Sequence, residues 1–366
     1  MTSKRQTRFD RLRERMAEAA VDAVLLSLGA DLPWLTGYEA MPLERLTMAV
    51  VPADDEATLV VPRLEAPRVV VDPEVFTLRA WSEHEDPVAI VASLVGERAR
   101  LAISDRTWAT FLLALQATLP GATWTPAGKL TGPLRAVKDP DEIEALAAAS
   151  AAADSVAVEL LEGDIPLVGR SEREVSSDIS RRLLDAGHHK VNFAIVASGP
   201  NAASPHHEPS DRQIQSGEAV VCDFGGTLDG YCSDITRTVW TGTPGALEVE
   251  VYKVVQEAQA EAVRAARIGA TCEEVDAAAR SVIAAAGFGD FYIHRTGHGI
   301  GVEEHEDPYI VGGNAERLVA GNAFSVEPGV YLPGGFGVRI EDIVIAERHG
   351  ARSLNAASHD MVILQK

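Results

Sequence analysis

Residues Val220–Thr238 read VVCDFGGTLDGYCSDITRT, and the way this stretch folds decides where two acids must point. An apolar, β-branched run carries Asp223, Asp229-Gly230 is a turn signal, and a second run carries Asp234. Asp-Gly between two such runs is a strong hairpin signal. With an even number of connecting residues, paired positions have an odd index sum. Positions 223 and 234 then share one face, because side chains alternate with period two. Two carboxylates on one apolar face repel each other and lose hydration. The pattern therefore predicts positive charge between them.

The 366 residues exceed one ordinary core, so two domains are expected. A balance of 33 Lys+Arg against 54 Asp+Glu gives a formal net charge of −21. That argues against nucleic acid and anionic membranes as partners, since both reward basic patches. Cys222, Cys232 and Cys272 are odd in number and lack CxxC spacing, which suits reduced thiols in a cytoplasmic protein. The charged N-terminal stretch has no signal-peptide core, and no apolar run is long enough to span a membrane.

Outward from the hairpin, Arg8–Ala20 has helical periodicity and Val21–Leu26 reads as a buried strand. The segment 31–44 reads as a loop, strands follow at Leu46–Val51 and Ala57–Val61, and a helix is expected over Pro87–Ala99. A strand at Arg100–Ile103 and a helix over Trp108–Leu119 complete an α/β domain over residues 1–130. Pro120–Asp139, rich in Gly, Pro and Thr, reads as the boundary. A second domain, 138–366, opens on a helix capped by Asp139 with Pro140 and Glu142 behind it. Ser171 and Thr271 head two further helices with Glu three residues on, and Leu247–Arg267 is a long helix. Ala323–Val326 and Val338–Ala346 read as buried strands, which places Glu341 in mid-strand.

The chemistry gathers after residue 190. The segments are Ser204-Pro205-His206-His207, the acid hairpin, His294–Gly301 (HRTGHGIG), Glu304–Pro308 (EHEDP), Ser325–Pro328 (SVEP) and Arg339–Asp342 (RIED). His207 reads as solvated. The glycines around His298 permit close backbone approach, and a phosphate loop is disfavoured because no capped helix follows. Asp223, Asp234, Glu327 and Glu341 bring four negative charges, and His298 adds a neutral nitrogen donor. One divalent ion cannot neutralise four carboxylates; two can. Oxygen-rich ligation with a single imidazole suits Mn²⁺, Co²⁺ or Fe²⁺ better than a structural Zn²⁺. An ion-pair network with Arg237 and Arg339 is the structural alternative.

Together the segments PHH, VVCDFGGTLDGYCSDITRT, HRTGHGIG, EEHEDP, SVEPGVY and GVRIED resemble the ordered motif set of the M24 metallopeptidases. These are the pita-bread-fold enzymes that include Xaa-Pro aminopeptidase, prolidase and methionine aminopeptidase. The stretch WLTGY, Trp34–Tyr38, is similar to the creatinase/prolidase-type N-terminal domain. The resemblance implies an α/β (α+β) chain with that domain first and a pita-bread catalytic domain second. It also implies two divalent metal ions, manganese first, with cobalt, zinc and iron as the other choices. Asp223 matches the acid chelating one metal, Asp234 and Glu341 match the bridging carboxylates, and His298 and Glu327 match the remaining ligands. His206 and His305 resemble the histidines that contact the substrate near the scissile bond. Arg339 looks like the arginine that orients the carboxylates.

The activity so implied is hydrolysis of an N-terminal peptide bond by a metal-activated water. Glu327 passes the proton to the leaving nitrogen, and His206 and His305 stabilise the oxyanion. An aminopeptidase acting ahead of proline is the first expectation, because only a short segment, 309–322, separates His305 from the Glu327 strand. No long loop there can cap a dipeptide carboxylate. An Xaa-Pro dipeptidase and a broader aminopeptidase are the alternatives. A metal-free creatinase-like hydrolase or a binding module would show an eroded ligand set. The resemblance further implies a peptide substrate and a homodimer.

Overall fold

The computed structural model describes residues 4–364, and it divides between Leu134 and Arg135 into two units. The first unit is built on one sheet. Its elements run α1 (Lys4–Glu18), β1 (Ala23–Leu26), α2 (Asp31–Thr36), β2 (Met48–Pro52), β3 (Ala57–Pro62) and β4 (Phe76–Trp81). They continue with α3 (Pro87–Val95), β5 (Arg100–Ile103), α4 (Ala109–Thr118) and β6 (Thr123–Pro126). The strand order is β4-β3-β2-β1-β5-β6, antiparallel at β1–β2 and β2–β3 and parallel elsewhere. Leu25, Met48, Val50 and Val60 pack beneath Val91, Val95 and Leu115 of α3 and α4 to make its core.

Three local readings need correction. Asp31–Thr36 is a helical turn rather than loop, closed by Gly37 at φ 76°, whose N–H bonds the Pro33 carbonyl. Pro33 sits in the first turn, where its missing donor costs nothing, so the sequence looks more irregular than the backbone is. The boundary stretch also holds β6 and a helix, α5 (Gly128–Ala136), in spite of Gly132-Pro133. Burial of Thr131 and Ala136 overrides the poor propensity. The strands β4 and β7 (Lys190–Ser198) carry no clear period in sequence.

The second unit starts at Arg135, at the end of α5, and its first full helices are α6 (Pro140–Glu162) and α7 (Glu172–Asp185). Asp139 with Glu142, and Ser171 with Glu174, form full capping boxes. Both helices pack on one face of a sheet ordered β18-β10-β8-β7, made from β7, β8 (Ala219–Leu228), β10 (Ile235–Trp240) and β18 (Val362–Ile363), with β9 (Tyr231–Cys232) paired to β8. Asp229 and Gly230 both adopt positive φ, 48° and 83°, as a two-residue hairpin turn requires. The register pairs Thr227 with Cys232 and Phe224 with Ile235, an odd index sum throughout.

The helices α8 (Ala246–Ala265) and α9 (Cys272–Ala285), the latter in a Thr271–Glu274 capping box, cover a second sheet ordered β12-β11-β13-β16-β17. Its strands are β11 (Gly297–Gly299), β12 (Glu306–Ile310), β13 (Ala323–Val326), β16 (Asp342–Glu347) and β17 (Gly350–Ser353), with a ribbon of β14 (Gly329–Tyr331) and β15 (Gly337–Arg339) beside it. The expected strand Val338–Ala346 is broken in two. Glu341 lies in the break, bridged to Thr236 of β10, so the break joins the two sheets. Among the described residues no helix is long and apolar enough to cross a membrane.

Candidate active site

Strand alternation supplies the site. In β8, Val220, Cys222 and Phe224 face the α6/α7 core, which turns Asp223 to the other side. Thr236 pairs with Asp223, and Asp234 lies two residues before Thr236 on the same face. In the second sheet Phe324, Val326, Val344 and Ala346 face α8 and α9. Glu327 and Glu341 therefore share the parity of Ser325 and Ile343, on the opposite face. His298 is carried on β11 between two glycines for a steric reason. A Cβ on Gly297 would lie 1.8 Å from the Ser325 carbonyl oxygen, and one on Gly299 2.2 Å from that of Asp307.

The five residues line one cavity of about 510 Å³, and ligand atoms of Asp234, His298 and Glu341 lie within 4.8 Å of one another. Asp223 and Glu327 lie on the same cavity wall outside that triad. His298 Nδ1 sits 3.1 Å from the Gly299 carbonyl, which can only accept, so Nδ1 carries the proton. Its Nε2 lone pair then faces Asp234 Oδ2 at 3.7 Å and Glu327 Oε1 at 3.4 Å. Burial, reinforced by His305, pushes His298 down to about 3, so it is neutral. Lone pair facing carboxylate is repulsive unless a cation or a proton lies between.

The acids show the same deficit. Burial, then Glu341 and Asp223, pushes Asp234 well above the usual carboxylate range, and burial with Glu327 and Asp223 does the same to Glu341. Burial raises Glu327 to about 7 despite Arg339. Asp223 Oδ1 and Asp234 Oδ1 are buried and have no hydrogen-bond partner. Buried charged oxygens without partners are costly, and a metal is what such a donor set fits. Of the two arginines that could have neutralised the acids, only Arg339 reaches them. It donates to Asp223 Oδ2 at 2.6 Å, to Thr236 Oγ1 at 3.1 Å and to the Tyr331 hydroxyl at 2.8 Å. Thr236 in turn donates to Glu341 Oε2 at 2.6 Å. Arg237 points elsewhere, pairing with Asp342 at 2.8 Å and bonding the Glu341 carbonyl.

His206 and His305 line the same cavity, and the His305 and His298 rings lie 4.0 Å apart. Burial, with Arg295 beside it, lowers His305 below the ordinary histidine value. His207 is not simply solvated: its Nε2 donates to Glu172 at 2.8 Å. His294 and Arg295 also line the cavity, without a role assigned from sequence. His294 Nδ1 donates to the Arg295 carbonyl at 2.7 Å, and its Nε2 accepts from Tyr331 at 2.8 Å. Arg295 lies over the Tyr309 ring at 4.5 Å, and among the described residues no carboxylate is within ion-pair distance of it. Both stand in HRTGHGIG, but nothing in that string says which side chains face the cavity.

Against known proteins, residues 8–137 match the creatinase/prolidase N-terminal domain and residues 143–348 match metallopeptidase family M24. The chain is 42% identical over 353 residues to a probable dipeptidase, PepE, of Mycobacterium tuberculosis, covering 95% of this chain and 93% of that one. It is 35% identical over 370 residues to the Xaa-Pro dipeptidase of Lactobacillus helveticus, covering 97% and 98%. The crystal structure of dipeptidase PepE from Mycobacterium ulcerans superposes with a TM-score of 0.93 at 41% identity, covering 100% of this chain and 99% of the other. M24 metallopeptidases use divalent metal ions, which agrees with the unpartnered oxygens around His298. Fold, matched residues and acid cluster converge: this chain belongs to metallopeptidase family M24, as a peptide-bond hydrolase with a creatinase/prolidase N-terminal domain ahead of a pita-bread catalytic domain.

Proposed function

We propose that this enzyme is a dinuclear metal-dependent dipeptidase whose substrates are Xaa-Pro dipeptides. The observation that carries the metal reading is the Nε2 lone pair of neutral His298 facing Asp234 and Glu327, beside two buried oxygens without a partner, Asp223 Oδ1 and Asp234 Oδ1. Asp223, Asp234, His298, Glu327 and Glu341 would hold the ions. Four carboxylates call for two divalent charges, and the oxygen-rich set favours Mn²⁺. When bound, such a pair supplies an acidified water and polarises a carbonyl.

The protein groups then have definite tasks. Glu327, on the cavity wall beside His298, is placed to take a proton on Oε and return it to the leaving nitrogen. His206 and His305 donate N–H groups to the oxygen of the tetrahedral carbon. Arg339 keeps Asp223 and, through Thr236, Glu341 in place. Phe193 and Ile195 give the cavity an apolar wall on which a proline ring can lie.

Of the peptide lengths left open by sequence, the dipeptide is favoured by Arg295. Its guanidinium reaches the cavity with no acid partner among the described residues, and it can receive a C-terminal carboxylate without a long capping loop. The names of the relatives, a dipeptidase and an Xaa-Pro dipeptidase, point the same way. A homodimer in the cytoplasm is part of the same reading, the compartment being supported by three buried, free thiols.

The test is a panel of Xaa-Pro, Xaa-Pro-amide, Xaa-Pro-Yaa and Xaa-Ala peptides given to chelated and Mn²⁺-reloaded protein. Cleavage of Xaa-Pro only after reloading is expected. Tripeptides cut faster than dipeptides would return the enzyme to the aminopeptidases, and activity that survives chelation would end the metal reading.

A further inference from the structure

His206 poses a mechanical problem. Its imidazole is exposed in the cavity, and among the described residues it has no hydrogen bond of its own. It sits on the irregular crossing from β7 to β8, between a short 3₁₀ turn at Gly199–Ala203 and the start of β8 at Ala219. A side chain held by nothing can be placed to a fraction of an ångström only if its backbone is held.

One buried carboxylate holds that backbone. Glu172, the first residue of α7, has a fully buried side chain and accepts from both ends of the crossing. Ser198 N and Oγ reach Oε1 at 2.8 Å each, and Asn201 Nδ2 reaches it at 3.0 Å. On Oε2, Ser210 N and Oγ arrive at 3.1 and 2.6 Å and His207 Nε2 at 2.8 Å. A carboxylate with these donors accepts only, so His207 Nε2 carries a proton and donates it. On the other side of His206, the Pro205 carbonyl accepts from Arg339 Nη1 at 3.4 Å. The residues before and after His206 are thus each tied to a buried charged group.

We propose that Glu172 and His207 are positioning residues that fix His206 against the scissile bond. This rests on the reading of His206 as a group that touches the substrate. The segment Ser198–Ser210 is drawn around one carboxylate, and His207 is anchored on it while its neighbour His206 lines the cavity. Neither Glu172 nor His207 bonds a proposed metal ligand, so losing their contact should slow the reaction and leave the metal sites intact.

The experiment compares His207→Ala, His207→Gln, His206→Ala and the double variant His206→Ala/His207→Ala as Mn²⁺-loaded full-length enzymes on an Xaa-Pro dipeptide. His207→Ala should lower kcat about tenfold or more with KM within about twofold and metal content unchanged. His207→Gln, whose amide nitrogen can occupy the place of Nε2, should recover most of that loss. In the His206→Ala background, His207→Ala should add nothing further. A His207→Ala factor that persists undiminished without His206 overturns the positioning role and leaves the reading of His206 standing. Wild-type kcat in His206→Ala overturns that reading instead. His207→Leu keeps bulk and removes the donor, and it serves if the alanine variant does not fold.

Discussion

Arg339 Nη2 donates to Asp223 Oδ2 at 2.6 Å, and the other oxygen, Oδ1, is left buried and unbonded. One arginine therefore fixes the carboxylate while leaving one oxygen for an ion. Arg339→Lys keeps the charge but cannot serve Asp223, Thr236 and Tyr331 from one planar fork. It should weaken Mn²⁺ binding and lower kcat/KM, each about 10- to 100-fold. Metal titration followed by assay at saturating Mn²⁺ checks it; wild-type affinity in the variant would remove Arg339 from this role.

Metal removal has a predicted sign. Without ions, Asp234, Glu341 and Glu327 repel one another in a buried site. Metal-free Asp234→Asn should therefore melt above the metal-free wild type, while losing the stabilisation that Mn²⁺ confers. That stabilisation is about 2.7 kcal/mol at a hundredfold excess over Kd. Thermal melts with chelator and with Mn²⁺ separate the two effects. A destabilised metal-free Asp234→Asn would contradict the repulsion argument.

Glu306 follows His305 directly and is held by Lys138 Nζ at 2.5 Å and by Arg135, in a buried group that also ties Arg135 to Glu303 at 3.0 Å. Glu306→Gln takes the paired carboxylate from buried Lys138, while Arg135 keeps Glu303, and should cost about 3–5 kcal/mol in urea unfolding. Lys138→Met, which leaves Arg135 on Glu306, should cost less. Both should lower kcat through His305 while metal content holds.

Arg295→Met tests substrate length. KM for an Xaa-Pro dipeptide should rise about tenfold or more, the loss of one charge-assisted contact. The Xaa-Pro-amide, which has no carboxylate, should change little. Equal effects on both peptides would show that Arg295 does not read the C-terminus.

Acid stability should follow Glu172. Burial opposes its ionisation, but bonds from Ser210, His207, Ser198 and Asn201 outweigh it and hold the carboxyl at about 2 against an ordinary 4.5. The unfolded chain takes up this proton first as pH falls. The stabilisation is therefore complete above about pH 4.5 and drains away toward pH 2, by on the order of 3 kcal/mol. Urea unfolding at pH 5, 4 and 3 should show a steeper decline for wild type than for Glu172→Gln.

Where local patterns carry the physics, sequence and structure agree. The boxes at Asp139, Ser171 and Thr271 are closed by residues three apart, and the Asp229-Gly230 turn needs only its two residues. The alternation that puts Asp223 and Asp234 on one face is likewise a property of the strand itself. The break at Glu341 and the helix through Gly132-Pro133 depend on partners far along the chain, so local propensity misreads them.

The acid cluster was legible because like charges must be explained wherever a strand buries them, and five candidate ligands, two Asp, one His and two Glu, stand in order along the chain. Which basic group joins them was not. Arg237 sits three residues after Asp234 and Arg339 two before Glu341, yet one turns to Asp342 and the other to Asp223. His207 and Arg295 show the same divide. Residue type says what a side chain can bond, while its direction follows from packing between elements more than thirty residues apart in the case of His207 and Glu172. Sequence names the chemistry available to this enzyme; tertiary structure decides which groups face the peptide and which hold those groups still.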